Sequence, residues 1–233
     1  MEFRVSALEE RREFYKKEFS LEKVKSWFKG RKLPQLCAID AGTDSKVLVD
    51  KKFKGNMFYF KFSELREKIK KYVPEDIYYH RSVYENPKKV LESLNFRSFK
   101  EQELAFDVDA NNIKCKLHRK ETACGVCIGK AFEWAKKLKA ELEKDYKKVK
   151  LVYSGRGFHV HVFDKKANKL RIEEREELNR KFKNYPIDPW VSRGYIGLIR
   201  MPYTLNGMVS RIATPLADDK IDIKKTIPKF MMS

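Results

Sequence analysis

The stretch that most limits the folds open to this chain is ELAFDVDA, residues 103–110. Leu104, Ala105, Phe106 and Val108 read as a buried β-strand, yet Asp107 and Asp109 interrupt it at spacing i, i+2. Successive strand side chains point to opposite faces, so the two carboxylates project from the same one. Side by side in a low-dielectric site they repel strongly, and something cationic must sit between them. A pair of divalent ions held in this way can activate a 3′-hydroxyl and stabilise a leaving pyrophosphate, and Mg²⁺ or Mn²⁺ are the oxygen-loving choices. Taken alone, the pattern also fits a sheet-edge strand with two solvated aspartates, so the rest of the chain has to decide.

Of the 233 residues, 42% are hydrophobic, enough for one large core or two small ones. Lys and Arg number 52 against 33 Asp and Glu, a formal net charge of +19. A polyanionic partner is the simplest reason, since charge-rich surfaces of heat-adapted proteins tend to balance the two signs. No apolar run approaches the roughly 20 residues a membrane helix needs, and MEFRVSALEERREF is charged from its second residue. The expectation is an intracellular, cytoplasmic and nucleoid-associated protein with no membrane partner. Cys37 stands alone while Cys115, Cys124 and Cys127 cluster, which in a reducing compartment favours metal over disulfides.

Along the chain, SALEERREFYKKEFS opens with a capping-box pattern from Ser6 to Glu9, and Leu21, Val24 and Phe28 mark a second helix. QLCAIDA, NMFYFKF and DIYYHRSVY read as strands, with SELREKIKKYV a helix between the last two. After ELAFDVDA come a Cys/His loop and a helix striped by Ile128, Ala131, Phe132, Ala135, Leu138 and Leu142. VKLVYSGRGFHVHVF follows as two strands around a tight turn, then a charged helix near IEEREELNRKFK, then a strand in YIGLIRMP. The alternation implies a single compact α+β domain over 1–233, a mixed sheet covered by helices.

Two further segments carry chemistry. CKLHRKETACGVC places Cys115, His118, Cys124 and Cys127 as two short-spaced ligand pairs, a Cys₃His set that suits a closed, structural Zn²⁺ site. In YSGRGFHVHVF, Gly155 and Gly157 allow a tight turn and close approach to an anion, Ser154 offers a hydroxyl and Arg156 a donor fork. His159 and His161 alternate onto one face of the outgoing strand. An ordinary Gly-rich hairpin with two surface histidines is the plainer reading of that segment alone.

In order and spacing, ELAFDVDA, the Cys₃His set, the long helix, YSGRGFHV and IRMPYTLNG together resemble the small catalytic subunit of archaeal and eukaryotic DNA primases. The resemblance implies the archaeal-eukaryotic primase fold, an RRM-like central sheet flanked by helices with a zinc knuckle. Within it 1–100 would supply helices and strands of the core, 101–128 the metal-binding strand and zinc loop, and 129–233 the nucleotide-binding half. It implies primer synthesis on a single-stranded DNA template from nucleoside triphosphates, with Asp107 and Asp109 binding the catalytic Mg²⁺ or Mn²⁺. Ser154, Arg156 and His159 match the nucleotide-phosphate motif, and Arg200 matches the arginine of the R-[LIM]-P strand. A large iron-sulfur subunit or domain is the implied partner, since the four cysteines leave no set of ligands over for such a cluster.

Two departures accompany the resemblance. The family's third carboxylate is expected about six residues ahead of the strand arginine, where this chain has Gly194, and Asp188 is the nearest acid to replace it. The family's L-H-G-K-[TS]-G becomes LNGMVSR, with Asn206 and Met208 at the phosphate-contacting positions and Arg211 the candidate to restore the lost charge. Lys136, Lys137, Lys139 and Lys147 are candidate phosphate contacts on the basic helix region. The rival expectation is a homologue that binds nucleic acid with catalysis weakened.

Overall fold

The computed structural model describes residues 3–42, 57–117, 124–194 and 197–232. Its strands are β1 (Leu36–Asp40), β2 (Met57–Lys61), β3 (Asp76–His80), β4 (Ser82–Val83), β5 (Glu101–Gln102), β6 (Leu104–Asp109), β7 (Val149–Tyr153), β8 (Gly157–Val162), β9 (Ile187–Asp188), β10 (Leu198–Arg200), β11 (Leu205–Asn206), β12 (Arg211–Ile212) and β13 (Thr214–Pro215). The helices are α1 (Leu8–Lys17), α2 (Leu21–Trp27), α3 (Leu65–Tyr72), α4 (Pro87–Ser93), α5 (Gly125–Glu143), α6 (Lys165–Asn168), α7 (Ile172–Lys181) and α8 (Pro189–Ser192).

The class is mixed α+β, but the strands sort into two sheets and a ribbon rather than one sheet. One sheet runs β13-β7-β8-β6-β9, the other β12-β11-β3-β1-β2 with β10 on the same edge of β3 as β11, and β4 pairs with β5. Every strand pairing among the described residues is antiparallel, so the expected mixture of strand directions is not found. Within the first sheet, β6, α5, β7, β8, α7 and β9 follow one another along the chain, and the strands stand in the order β7-β8-β6-β9.

The alternation in ELAFDVDA explains this layout. Leu104, Phe106 and Val108 join the α5 stripe of Ile128, Ala131, Ala135, Leu138 and Leu142 in one core with Phe158, Val160 and Val162 from β8. Burying a side chain such as Leu138 there contributes about 1.5–3 kcal/mol. Ala105, on the opposite face, belongs to a second core with Ile39, Ile77, Tyr79 and Ile199 of the other sheet. β6 is therefore covered on both sides, which is why it reads as nearly continuous apolar sequence. Along the second face the covering stops after Ala105, and Asp107 and Asp109 are half-buried.

Two local expectations shift. DIYYHRSVY splits at Arg81, which is buried and donates from Nη1 to the Glu103 carbonyl at 2.6 Å and from Nη2 to the Val191 carbonyl at 2.5 Å. The first helix is capped one residue later than its sequence pattern, with the Glu10 carboxylate accepting the Ala7 N–H at 2.8 Å. Ser6 instead turns inward and donates its hydroxyl to the Gly207 carbonyl at 3.2 Å.

Gly157 faces Asp109 across the β6–β8 ladder, and a Cβ there would lie 2.3 Å from the Val108 carbonyl oxygen and 2.9 Å from the Asp109 Cα. Both obstacles are backbone, so neither can swing aside. Gly157→Ala is expected to cost about 1–3 kcal/mol of stability by overpacking, read as a lower denaturation midpoint in urea. An unchanged midpoint would contradict this packing.

Candidate active site

The ladder registers gather the charged groups. Asp107 pairs with His159 on one side and Asp188 on the other, and Asp109 pairs with Gly157. Paired residues in a ladder share a face, so His159, Asp107 and Asp188 form a row across three strands. With Asp109, Ser154, Arg156, Tyr78, Arg200 and Asn206 they line an open cleft of about 220 Å³ between the two sheets. Asp188 is fixed as the cap of α8, its Oδ1 accepting the Trp190 N–H at 2.9 Å. Asp109 Oδ1 accepts the Asn111 N–H at 2.8 Å, and its Oδ2 meets Arg156 Nη2 at 2.9 Å.

The electrostatics of this row are unbalanced. Burial, then the charges of Asp109 and Asp188, push the Asp107 carboxyl up to about 8, against weaker help from Arg156 and Arg200. Burial, with His161, Arg200 and Arg81 nearby, holds the His159 imidazole well below its ordinary value. The 3.8 Å approach of His159 Nε2 to Asp107 Oδ1 is thus a contact of two groups that both favour their neutral forms, not an ion pair. Asp107 Oδ1 is buried and receives no hydrogen bond among the described residues. An orphaned carboxylate oxygen flanked by two more carboxylates fits a hard divalent cation such as Mg²⁺ or Mn²⁺.

The turn between β7 and β8 presents Ser154 and Arg156 at the cleft. It closes through the Ser154 N–H to the Gly157 carbonyl at 2.9 Å, and Gly155 adopts φ +102°. The space its glycines provide is taken up by protein: a Cβ on Gly155 would lie 2.8 Å from Asn206, and Gly157 lies against β6. Opposite, Arg200 forms a two-pronged ion pair with Asp76, its Nη2 3.2 Å from Oδ2, and stacks over the Tyr78 ring. Burial works against the Arg200 charge, but Asp76 and Tyr78 outweigh it and keep the guanidinium firmly protonated.

Other expected residues fall elsewhere. Arg211 is buried, donates from Nη1 to the Val209 and Ser210 carbonyls at 3.3 and 2.8 Å, and lies over the Phe3 ring, so it does not reach the cleft. Gly194 is also remote: with φ +89°, a Cβ there would meet the Arg175 and Gln102 side chains. The acid that joins Asp107 is Asp188. His161 shares the His159 face but is sealed between the sheets, its Nδ1 2.7 Å from Glu103 Oε1. Burial opposes the Glu103 charge, yet His161, Arg31 and Arg81 together hold its carboxyl below the usual range. Of the four lysines, Lys136 pairs with Glu133, Lys137 lies over the Trp134 ring, and Lys139 is bridged to Glu143 and Asp219 at 2.6 and 2.9 Å. Asn206, which the sequence sets at a phosphate-contacting position, does line the cleft, whereas Tyr78 and Asp76 go unmarked in the sequence because the DIYY stretch carries no motif.

The cysteine cluster lies at the start of α5. The sulfurs of Cys115, Cys124 and Cys127 all fall within 4.8 Å of one another, and those of Cys115 and Cys124 are 3.9 Å apart. Tetrahedral coordination with Zn–S bonds of about 2.3 Å separates sulfurs by about 3.8 Å, so the three thiols fit a zinc ion. The Leu117 N–H donates to Cys115 Sγ at 3.3 Å. His118, the expected fourth ligand, lies outside the described residues. No described helix is long and apolar enough to cross a membrane.

No family model matches the chain. An Archaeoglobus fulgidus protein described as an uncharacterized DNA primase small subunit-like protein is 37% identical, over 99% of this chain and 92% of its own length. The DNA primase small subunit PriS of Pyrococcus furiosus is 29% identical over 73% of this chain and 47% of its own, and that of Pyrobaculum aerophilum 32% identical over 65% and 50%. This chain therefore spans about half the length of the PriS relatives it matches.

The raised Asp107 carboxyl has a measurable consequence. Its folded pKa of about 8 lies above the unfolded value of about 3.9. The stability it contributes is thus full below about pH 4 and lost as pH rises through about 8. With no divalent cation added, Asp107→Asn, which stays neutral, is expected to melt above the parent by a margin that widens from pH 5 to pH 9. At the alkaline end the gap should be at least about 4 °C, since about 1 kcal/mol moves a chain of this size by about 2–4 °C. Melting curves that coincide at every pH would refute the electrostatic assignment.

Proposed function

The chain belongs to the DNA primase small-subunit family, and we propose that it is a template-directed nucleotidyltransferase that makes short primers on single-stranded DNA. The observation that carries this reading is the meeting of Asp107, Asp109 and Asp188 with Ser154, Arg156, His159 and Arg200 in one cleft. The β6–α5–β7–β8–α7–β9 succession with strand order β7-β8-β6-β9 supports an RRM-like catalytic sheet. Residues 1–233 are read as one catalytic domain, with Cys115, Cys124, Cys127 and His118 as structural zinc ligands.

Asp107, Asp109 and Asp188 are the residues that would hold Mg²⁺ or Mn²⁺, which when bound acidify the primer 3′-hydroxyl and neutralise the departing pyrophosphate. The 3′-hydroxyl loses its proton to solvent as its oxygen attacks the α-phosphorus, and the bond from that phosphorus to the pyrophosphate oxygen breaks to release pyrophosphate. Ser154 and Arg156 receive the triphosphate, and His159 supplies a ring N–H to it, its proton affinity rising once an anion replaces the desolvated surroundings. Arg200, held by Asp76, keeps a fixed positive charge where negative charge accumulates. The +19 net charge draws in the template and nucleoside triphosphates. Cys37 is buried in β1, so a large iron-sulfur subunit would have to bring its own cluster ligands. The site of action is then the replicating chromosome, inside the cell.

Primer synthesis on single-stranded DNA, assayed with Mg²⁺ and with Mn²⁺, tests the reading. Product is expected from the parent, with Asp107→Ala and Asp188→Ala both at background and Gly194→Asp giving no gain. Tight DNA binding with no product at either metal would instead support the catalytically weakened homologue.

A further inference from the structure

Asn206 stands in β11 where the family pattern has a histidine, and its two amide atoms are not interchangeable. Nδ2 donates to the Ser154 carbonyl at 2.9 Å. A carbonyl only accepts, so the amide is pinned with its nitrogen toward the turn and its oxygen away from that carbonyl. Oδ1 is buried and receives no hydrogen bond among the described residues. The side chain lies flat on the turn, since a Cβ on Gly155 would sit 2.8 Å from both its Cβ and its Nδ2. Asn206 also lines the same cleft as Asp107, Ser154 and Arg156.

An amide oxygen carries lone pairs and no proton. Phosphate oxygens are acceptors as well, so Oδ1 cannot take over the phosphate contact attributed to the family's histidine. A buried acceptor left alone is costly because its lost hydration is not replaced, and a hydrogen-bond donor relieves that cost. A nucleotide with its phosphates on the Ser154–Gly155–Arg156 turn has donors on its sugar and its base, and the sugar hydroxyls are the ones separated from the phosphates by few bonds. We infer that Asn206 is a specificity residue whose Oδ1 accepts a hydrogen bond from a sugar hydroxyl of the incoming nucleotide, exchanging a phosphate contact for a sugar contact. This rests on the nucleotide-binding reading of the cleft given above.

The test is equilibrium binding, with Mn²⁺, of ATP, 2′-deoxy-ATP, 2′,3′-dideoxy-ATP and inorganic tripolyphosphate to the parent chain, Asn206→Ala and Asn206→Leu. Loosening of the turn weakens all nucleotides alike, so the readout is the ratio of affinities, which a merely structural role would not move. The parent is expected to bind ATP roughly threefold to tenfold more tightly than the dideoxy form, as one neutral hydrogen bond provides. In both variants that ratio should fall to about one, and the deoxy form reports which hydroxyl is engaged. A parent ratio near one, or a folded variant that keeps the parent ratio, overturns the inference while leaving the nucleotide site intact. A parent that binds none of the four ligands overturns the nucleotide-binding reading, and this inference with it.

Discussion

Three carboxylates brought together on a half-buried face organise this structure. Asp107 and Asp109 stand two residues apart on β6, and β9 brings Asp188 alongside Asp107. The described residues do not balance that charge: the Arg156 guanidinium engages Asp109, and Arg200 is committed to Asp76. Asp107 is therefore left favouring its proton. Among the described residues Arg156 alone forms an ion pair with this cluster, an imbalance that fits the divalent cation proposed above, and the cleft around it is walled by groups suited to an anion.

The architecture sets the position of that site. β6 is gripped on one face by α5 and on the other by the second sheet, so its backbone has little freedom to relax under the repulsion. The same two-sided burial separates the histidines of β8. His161 lies deep enough to be absorbed by Glu103 and Tyr79, while His159, two residues nearer the opening, lines the cleft. Identical side chains on one strand face thus acquire different roles from depth alone. Asn206 ties the two sheets together at the turn, so its side chain bears both on what holds the turn and on what the cleft offers.

What could be read from the sequence followed local periodicity. The strand character of ELAFDVDA, the same-face placement of its acids and the turn around Gly155 depend on neighbours within a few residues, and the structure shows all three. The third acid was harder to place, because Asp188 reaches Asp107 only through the β6–β9 pairing, a contact between residues 81 positions apart. Motif spacing pointed instead to position 194, which the fold turns toward Arg175. Arg211 was misplaced for the same reason: a charged side chain near a motif looks available until burial and carbonyl partners account for it. Asp76 and Tyr78 carry no pattern at all, and their place depends on β3 meeting β10.

Anomalous scattering from crystals soaked in Mn²⁺ tests the central claim most directly. Ion density is expected among the Asp107, Asp109 and Asp188 carboxylates, at manganese–oxygen distances of roughly 2.1–2.3 Å. Soaked crystals with no ion at that cluster, or with manganese bound only elsewhere on the chain, would contradict it.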